Sequence, residues 1–226
     1  LKAREWKPGP LGINIGKNKD TPLERAVDDY VACVDALAPL GDYVVVNASS
    51  PNTPGLRKLQ EPEALSALLL AVRERMDQVA PGTPLFLKIA PDLTPEAVDE
   101  VVDVAMARGL SGLIATNTTL TRPFEHQHSK EAGGLSGAPV RDLSNAVIRR
   151  AYQRGKGALP LIGVGGVFSA QDVYEKLRAG ATVVQVYTGF IYEGPGMVDR
   201  ILPELGALLA RDGFASVRDV IGVDAR

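Results

Sequence analysis

An alternation of apolar, strand-like runs with amphipathic helical patterns recurs along the chain and constrains its fold more than any other feature. The runs are Leu11–Ile15, Tyr43–Val46, Leu85–Ile89, Gly112–Ala115, Leu161–Val164 and Val183–Tyr187. Most of them are apolar throughout rather than alternating, which is typical of parallel strands buried on both faces. The sequence therefore predicts an α/β protein in which most strands are followed by a helix.

Start and stop signals mark the helices between these strands. Thr21-Pro22-Leu23-Glu24 has the pattern of a capping box, and Thr94 and Ser169 stand where later helices should begin. Glycine is favoured just after a helix because it adopts the left-handed conformation easily. The predicted stops are Gly109, Gly155, Gly180 and Gly213.

Two architectures satisfy six βα units: an open doubly wound sheet, or a (β/α)₈ TIM barrel of which only about six units are present. A dinucleotide fold would carry Gly-x-Gly-x-x-Gly after its first strand, and residues 14–19 lack that spacing. Glycine-rich turns instead follow the last two strands, at 163–166 and 187–189, where barrels commonly bind phosphate. The sequence favours the barrel, as a single domain over residues 1–226. Because six strands cannot close a barrel, we expect a longer protein to supply the first strands.

Polar side chains gather where the predicted strands end, most densely in the segment 44–55, in which an apolar run leads into amides, hydroxyls and prolines. Amides and hydroxyls dominate and carboxylates are nearly absent, which favours a flat polar ligand with both donors and acceptors on its edges. Taken alone, Asn47 and Asn52 are also compatible with turn capping around Pro51, and Thr116–Thr119 with a simple turn.

Two further features point to an anionic ligand. Lys88 interrupts an apolar strand, and because an unpaired buried ammonium is costly, we expect it to face a ligand or an anion. Gly165 and Gly166 precede the helix start at Ser169, an arrangement that predicts a phosphate cradle from backbone N–H groups and a helix terminus.

Several function classes are disfavoured. The net charge of -2 and the lack of a basic cluster argue against a nucleic-acid partner. No metal site is predicted, since His126 and His128 lie in a long loop without a third ligand at useful spacing. The single cysteine, Cys33, fits a reducing compartment, and no apolar run is long enough to span a bilayer.

Taken in order, these motifs resemble dihydroorotate dehydrogenases of class 2, the quinone-dependent kind. The resemblance extends along the whole chain and rests on 11–19, 47–57, 88–93, 115–119, 133–137 and 162–167. It implies an FMN-binding (β/α)₈ barrel. Class 1 relatives are similar but carry a cysteine as catalytic base where this chain has Ser50, so this residue assigns the class.

The resemblance also implies roles for the strand-end residues. Ser50 would take the proton from C5 of dihydroorotate while hydride passes from C6 to the flavin, giving orotate. The residues expected to bind the pyrimidine substrate are Asn47, Asn52, Asn117 and Thr118. Those expected to bind FMN are Asn14, Asn47, Lys88, Thr116, Ser136, Gly137, Val164, Gly165, Gly166, Tyr187 and Thr188.

By the same resemblance, a quinone would reoxidise the flavin, and the reaction would belong to de novo pyrimidine biosynthesis. The parent protein is expected to be a monomer, peripheral on the cytoplasmic face of a bacterial inner membrane or, alternatively, on the mitochondrial inner membrane. The segment making that contact would lie outside these residues. Two other interpretations remain open: a phosphosugar-handling barrel, which needs strand-end carboxylates, and a truncated or degenerate barrel without catalysis.

Overall fold

A computed structural model describes residues 9–122 and 130–226. The strands are β1 (Gly12–Ile15), β2 (Tyr43–Asn47), β3 (Leu85–Ile89), β4 (Gly112–Ala115), β5 (Leu161–Val164) and β6 (Val183–Gln185). The α-helices are α1 (Ala26–Leu37), α2 (Pro62–Val79), α3 (Pro95–Ala107), α4 (Arg141–Gly155), α5 (Ala170–Ala179), α6 (Thr188–Glu193), α7 (Met197–Arg211) and α8 (Val217–Val220). Short 3₁₀ helices cover Leu23–Arg25, Ala38–Leu40, Leu56–Gln60 and Ala138–Val140.

The strands form one parallel sheet whose spatial order, β1-β2-β3-β4-β5-β6, equals their order in the chain. A doubly wound sheet would instead reverse direction at a switch point. Sequential winding is the arrangement of a (β/α) barrel, so the predicted fold class is confirmed. Among the described residues β6 does not pair with β1, and the barrel is present as an open segment with two free edges.

Alternation along each strand divides the core into two parts. Val44 and Val46 of β2 belong to the main cluster, which packs the sheet against the helices. Val45, Ile114 and Val164 form a separate small cluster on the opposite, concave face. The sheet therefore carries apolar side chains on both faces from β2 to β5, and the concave face is where inward-pointing side chains meet.

Most helix signals are confirmed. The Thr94 side chain accepts a hydrogen bond from the Ala97 N–H at the start of α3, and Ser169 forms a reciprocal capping box with Asp172 at the start of α5. The capping box predicted at Thr21 is wrong. The helix begins instead with a 3₁₀ turn that no side chain caps.

Several boundaries also differ from expectation, by one residue in β1 and β2 and more informatively at the ends of α4 and β6. Gly155 is the last residue of α4, and the left-handed position after it is taken by Lys156, with a φ of 49°. The last strand stops at Gln185 rather than Tyr187, and its Val183 side chain is 56% exposed. Because β6 is a free edge of the sheet, its concave face lacks the neighbour that would cover it.

Candidate active site

Strand register brings one polar side chain from each of several strands to the carboxyl end of the concave face. Asn47 pairs with Lys88 across β2 and β3, and Val164 pairs with Gln185 across β5 and β6. Lys88 in turn pairs with Ile114, a member of the concave-face cluster. Side chains two residues apart on a strand share a face, so these polar groups follow directly on the apolar concave cluster.

A cavity opens at this end of the sheet between β3 and α6. It brings together eleven of the residues singled out from the sequence: Lys88, Thr116, Asn117, Thr118, Ser136, Gly137, Val164, Gly165, Gly166, Tyr187 and Thr188. They come from four successive strand ends and from the loop before α4. Residues far apart in the chain therefore form one continuous wall, as the barrel interpretation requires.

Four predicted site residues do not line this cavity. Asn14 is exposed on the edge strand β1, and Asn52 is exposed in the loop after β2. Asn47 and Ser50 are half-buried beside the cavity. β1 is a free edge of the sheet, and the residues that line the cavity come from β3 to β6 and the segments that follow these strands.

A small amide network connects the β2 loop to the cavity. The Asn117 side-chain amide donates to Asn47 Oδ1 at 3.3 Å and to Ser49 Oγ at 3.0 Å. The Ser49 hydroxyl donates to the same Asn47 oxygen at 3.0 Å. Ser49 was not among the predicted site residues, although it stands between two of them. Its role in holding the two asparagines is a tertiary property that the sequence does not signal.

Ser50 has few partners. Its hydroxyl oxygen accepts a hydrogen bond from the Asn52 N–H at 3.3 Å, and no described side chain that could act as a base is bonded to it. A serine hydroxyl is hardly ionised near neutrality, so proton removal by Ser50 requires an acidified substrate C–H or a relay.

Lys88 is half-buried on the cavity wall, and among the described residues it has no hydrogen-bond acceptor or carboxylate partner. Desolvation lowers the pKa of its ammonium group. Three unused donors and a positive charge directed at a cavity are suited to an electron-rich or anionic ligand. β3 is an interior strand of the sheet, flanked by β2 and β4.

Thr116 presents a second unsatisfied group on the same wall. The residue is 2% exposed, and its hydroxyl is the one buried side-chain polar atom without a partner in the described part of the chain. Buried polar groups are nearly always paired in folded proteins. Since Thr116 lines the cavity, an unpaired hydroxyl on this residue favours a ligand as its missing partner.

The glycine turn after β5 has the backbone of an anion site. Gly165 and Gly166 have φ values of 127° and 71°, and a Cβ at Gly166 would collide with Arg141. The Arg141 guanidinium donates to the Gly166 carbonyl at 3.0 Å. No described acceptor takes the N–H of Gly166 or Val167, which leaves both donors for a ligand.

The α5 amino terminus behind that turn is partly capped by its own side chains. The Asp172 carboxylate accepts the N–H groups of Phe168 and Ser169, each at 2.9 Å, and pairs with Arg141 at 2.7 Å. A negative charge on the first turn of a helix occupies its positive end. The start of α5 therefore already carries a carboxylate of the protein, whereas the N–H groups of Gly166 and Val167 have no partner among the described residues.

Sequence reasoning missed five cavity residues: Val140, Val167, Gln185, Val186 and Gly189. Two of them had a usable signal: Gln185 ends the last strand on the same face as Val183, and Gly189 belongs to the glycine-rich turn 187–189. The others lie in turns and helix starts whose direction depends on tertiary packing. Gly189 has no room for a side chain, since a Cβ there would collide with the Val167 carbonyl.

His126 and His128 lie outside the described residues. Within the described ranges, no group of three or more His, Cys, Asp or Glu side chains is placed to hold a metal ion. The helices of those ranges include none that is both long and apolar enough to cross a membrane.

Fold and cavity together define a class: parallel βα barrels with a polar cavity at the carboxyl ends of their strands. The family model "Dihydroorotate dehydrogenase" matches residues 1–209. The chain belongs to the dihydroorotate dehydrogenase family.

Individual relatives agree. The chain is 79% identical over 226 residues to "Dihydroorotate dehydrogenase (quinone)" of Myxococcus xanthus strain DK1622, covering all of this chain and 62% of the relative. It is 57% identical over 220 residues to the protein of the same name from Anaeromyxobacter dehalogenans strain 2CP-C, covering 96% of this chain and 60% of the relative. The chain thus spans about three fifths of the length of these relatives.

Solved structures of the family share the fold. The ligand-free DHODH of Eimeria tenella superposes with a TM-score of 0.91 at 39% identity, covering 99% of this chain and 66% of the other. The same enzyme in complex with ferulenol gives a TM-score of 0.90 at 38% identity, covering 100% and 64%.

Proposed function

We propose that the full-length protein containing this chain oxidises (S)-dihydroorotate to orotate with FMN and passes the electrons to a quinone. Family membership supports the substrate, and the word "quinone" in the names of the bacterial relatives supports the acceptor. The observation that carries the proposal is the pair of unsatisfied groups, Lys88 and the Thr116 hydroxyl, on the wall of one cavity.

The cavity residues fit FMN. Lys88 and Thr116 offer donors to the electron-rich edge of an isoalloxazine ring, and the free N–H groups of the glycine turn suit its phosphate. When bound, FMN accepts the hydride from the substrate. The residues proposed to hold it are Asn14, Asn47, Lys88, Thr116, Ser136, Gly137, Val164, Gly165, Gly166, Tyr187 and Thr188.

Lys88 has a distinct electrostatic task in this scheme. An ammonium group in a partly desolvated site stabilises negative charge more strongly than it would in water. We assign it the stabilisation of charge that develops on the flavin ring.

The substrate would be bound by Asn47, Asn52, Asn117 and Thr118. The bonded amides of Asn47 and Asn117 form a fixed donor and acceptor surface that matches a pyrimidine ring. Ser50, beside them, would receive the C5 proton. Because Ser50 has no basic partner among the described residues, proton transfer to it also depends on the acidity of the substrate C5–H, which lies next to a carbonyl group.

The cavity does not favour a phosphosugar-handling enzyme. Acid and base chemistry on a sugar phosphate requires carboxylates or similar groups at the strand ends. None of the residues that line the cavity is Asp or Glu.

The proposed quinone acceptor also has a consequence for where the protein is located in the cell. Since quinones dissolve in the bilayer, we propose a monomeric protein that is peripheral on the cytoplasmic face of a bacterial inner membrane. The bacterial sources of the relatives favour this over a mitochondrial membrane. Fractionation of native membranes, with release by high salt or mild detergent, tests the assignment.

The central test is anaerobic reduction of the full-length protein by dihydroorotate, followed by flavin absorbance. We expect Ser50→Ala to slow this reduction by at least ~100-fold, the effect of a lost general base. Ser66→Ala is the matched control, because the Ser66 hydroxyl contacts Arg108 on the helix layer rather than the cavity. A colourless protein, or a flavin that dihydroorotate leaves oxidised, would exclude the proposed function. Normal reduction in Ser50→Ala would exclude only the role of Ser50.

A further inference from the structure

Arg57 lies outside the cavity but joins the loops that carry the proposed catalytic and substrate-binding residues. It is part of the 3₁₀ helix Leu56–Gln60 that follows the β2 loop. Its Nε donates to the Ser49 carbonyl at 3.1 Å, and its Nη2 donates to the Thr118 carbonyl at 2.8 Å. One rigid guanidinium therefore fixes the distance between the loop after β2 and the loop after β4.

Asp92, just after β3, holds Arg57 in place. Its carboxylate accepts Arg57 Nη1 at 2.6 Å, and the two side chains are only 20% and 19% exposed. The same carboxylate accepts the Leu120 N–H at 3.1 Å and the Thr119 hydroxyl. A charge-assisted bond with both partners held by further bonds is stronger and better oriented than an ordinary surface ion pair.

The two carbonyls that Arg57 binds belong to the reaction site. The Ser49 carbonyl is in the peptide that leads into Ser50, and the Thr118 carbonyl belongs to a proposed substrate-binding residue next to Asn117. A shift of Arg57 would change the distance between the proton acceptor and the bound substrate. Displacements of about 1 Å between reacting groups can cost ~100-fold in rate.

We propose that Arg57, oriented by Asp92, is a positioning residue that sets Ser50 relative to the Asn117–Thr118 segment in the oxidation of dihydroorotate. The inference rests on the proposed function. Arg57 itself does not line the cavity, so it is assigned no contact with substrate or cofactor.

The first experiment compares Arg57→Met with the unmodified full-length protein. We expect the rate constant of anaerobic flavin reduction at saturating dihydroorotate to fall by ~10- to 100-fold, because only the approach of Ser50 to the substrate is disturbed. Flavin content and the rate of flavin reoxidation by a soluble ubiquinone analogue should stay the same. Asp92→Asn should reproduce the direction of the effect, and it serves as the second variant should Arg57→Met fold poorly.

The matched control is Arg150→Met. Arg150 is likewise bonded to an aspartate, in this case to Asp99 through two hydrogen bonds. It connects α3 and α4 on the helix layer, away from the cavity. Each of the two arginines connects separate segments, so we expect a lower melting temperature in Arg57→Met and in Arg150→Met. Flavin reduction should stay unchanged in Arg150→Met, because Arg150 does not contact the loops of the site.

A double-mutant cycle with Ser50→Ala separates positioning from general damage. If Arg57 acts through Ser50, Arg57→Met in the Ser50→Ala background should cause little further loss, whereas independent effects would multiply. Multiplicative losses, or normal reduction in Arg57→Met, would overturn the inference while the proposed function stands. Failure of dihydroorotate to reduce the unmodified protein would overturn both.

Discussion

A lysine lies on each side of the sheet, half-buried in the case of Lys88 and fully buried in the case of Lys176, and the two differ in their surroundings. Lys88 is on the concave face, lines the cavity and has no partner among the described residues. Lys176 of α5 is on the helix face, fully buried, and its ammonium donates to Ser144 Oγ at 3.0 Å and Asn145 Oδ1 at 2.9 Å. Desolvation lowers the pKa of both groups, that of Lys176 to about 8.

The difference separates a structural cation from one that awaits a ligand. Ser144, which receives a bond from Lys176, donates at 2.8 Å to the carbonyl of Val164, directly before the glycine turn. Lys176 thus completes a network inside the protein that supports the end of β5. Lys88 completes none, so its desolvation is offset only when something enters the cavity.

The largest expected effect is that of Lys88→Met, which keeps most of the apolar stem but removes the charge. We expect flavin reduction by dihydroorotate to slow by ~100- to 1,000-fold, as for other preorganised donors to developing charge. Stopped-flow absorbance measures the rate. The flavin should also be held less tightly or show a shifted reduction potential.

The control for that variant is Lys58→Met, an exposed lysine on the 3₁₀ helix after β2. It should leave the rate of flavin reduction, the tightness of flavin binding and the reduction potential unchanged. A Lys88→Met protein with normal flavin content, reduction potential and reduction rate would contradict the inference that Lys88 acts on a bound ligand whereas Lys176 has a structural role.

The next effect concerns pH and Lys176. Because the folded-state pKa is about 8 and the usual value is 10.5, the unfolded chain binds more protons between these values, and stability should rise with pH. The expected gain is about 1 kcal/mol in the free energy of unfolding between about pH 7 and pH 9, lost in Lys176→Met. Denaturant titrations of both proteins at several pH values measure this difference. An equal slope in both would contradict it.

The same titrations sharpen the comparison when repeated with and without flavin. The charged groups that act on Lys176 are Arg141, Asp142, Asp172 and Glu175. These groups belong to the protein, so the effect of Lys176 on the pH dependence of the unfolding free energy should be present with and without flavin. The corresponding effect of Lys88 should become smaller once a bound ligand supplies negative charge.

The smallest expected effect is that of Thr116→Val. Since the hydroxyl has no partner in the protein, its removal should leave the stability of the flavin-free protein unchanged or slightly raised. Flavin binding should weaken by about 1 kcal/mol, the value of a typical hydrogen bond. Fluorescence titration with FMN measures the change. Loss of stability without any change in affinity would show that the hydroxyl serves the fold.

Much of this arrangement was predictable because barrel strands have strong local signals. The predicted bounds of β3, β4 and β5 agree with the structure, since each is a largely apolar run, followed in β4 by a polar residue and in β5 by glycine. The failures occur where local preference competes with packing. At Thr21 a capping pattern gave way to a 3₁₀ turn, and β6 ended early at the open edge of the sheet.

The site was only partly predictable for the same reason. The types of residue at the strand ends indicated a polar, phosphate-bearing ligand, and eleven of the predicted site residues meet in one cavity. The sequence did not indicate that Ser49 would join two asparagines or that Arg57 would hold two loops. Both contacts depend on distances between segments that are far apart in the chain.

By itself the sequence determined the order of the strands, their parallel packing and the chemical character of the strand ends, because apolar periodicity, capping residues and glycine act over a few residues. Only the tertiary structure decided which polar groups find partners. Lys88 and Thr116 remain unsatisfied, whereas Lys176 does not, because pairing depends on which side of the sheet each side chain faces and on what the neighbouring elements place there.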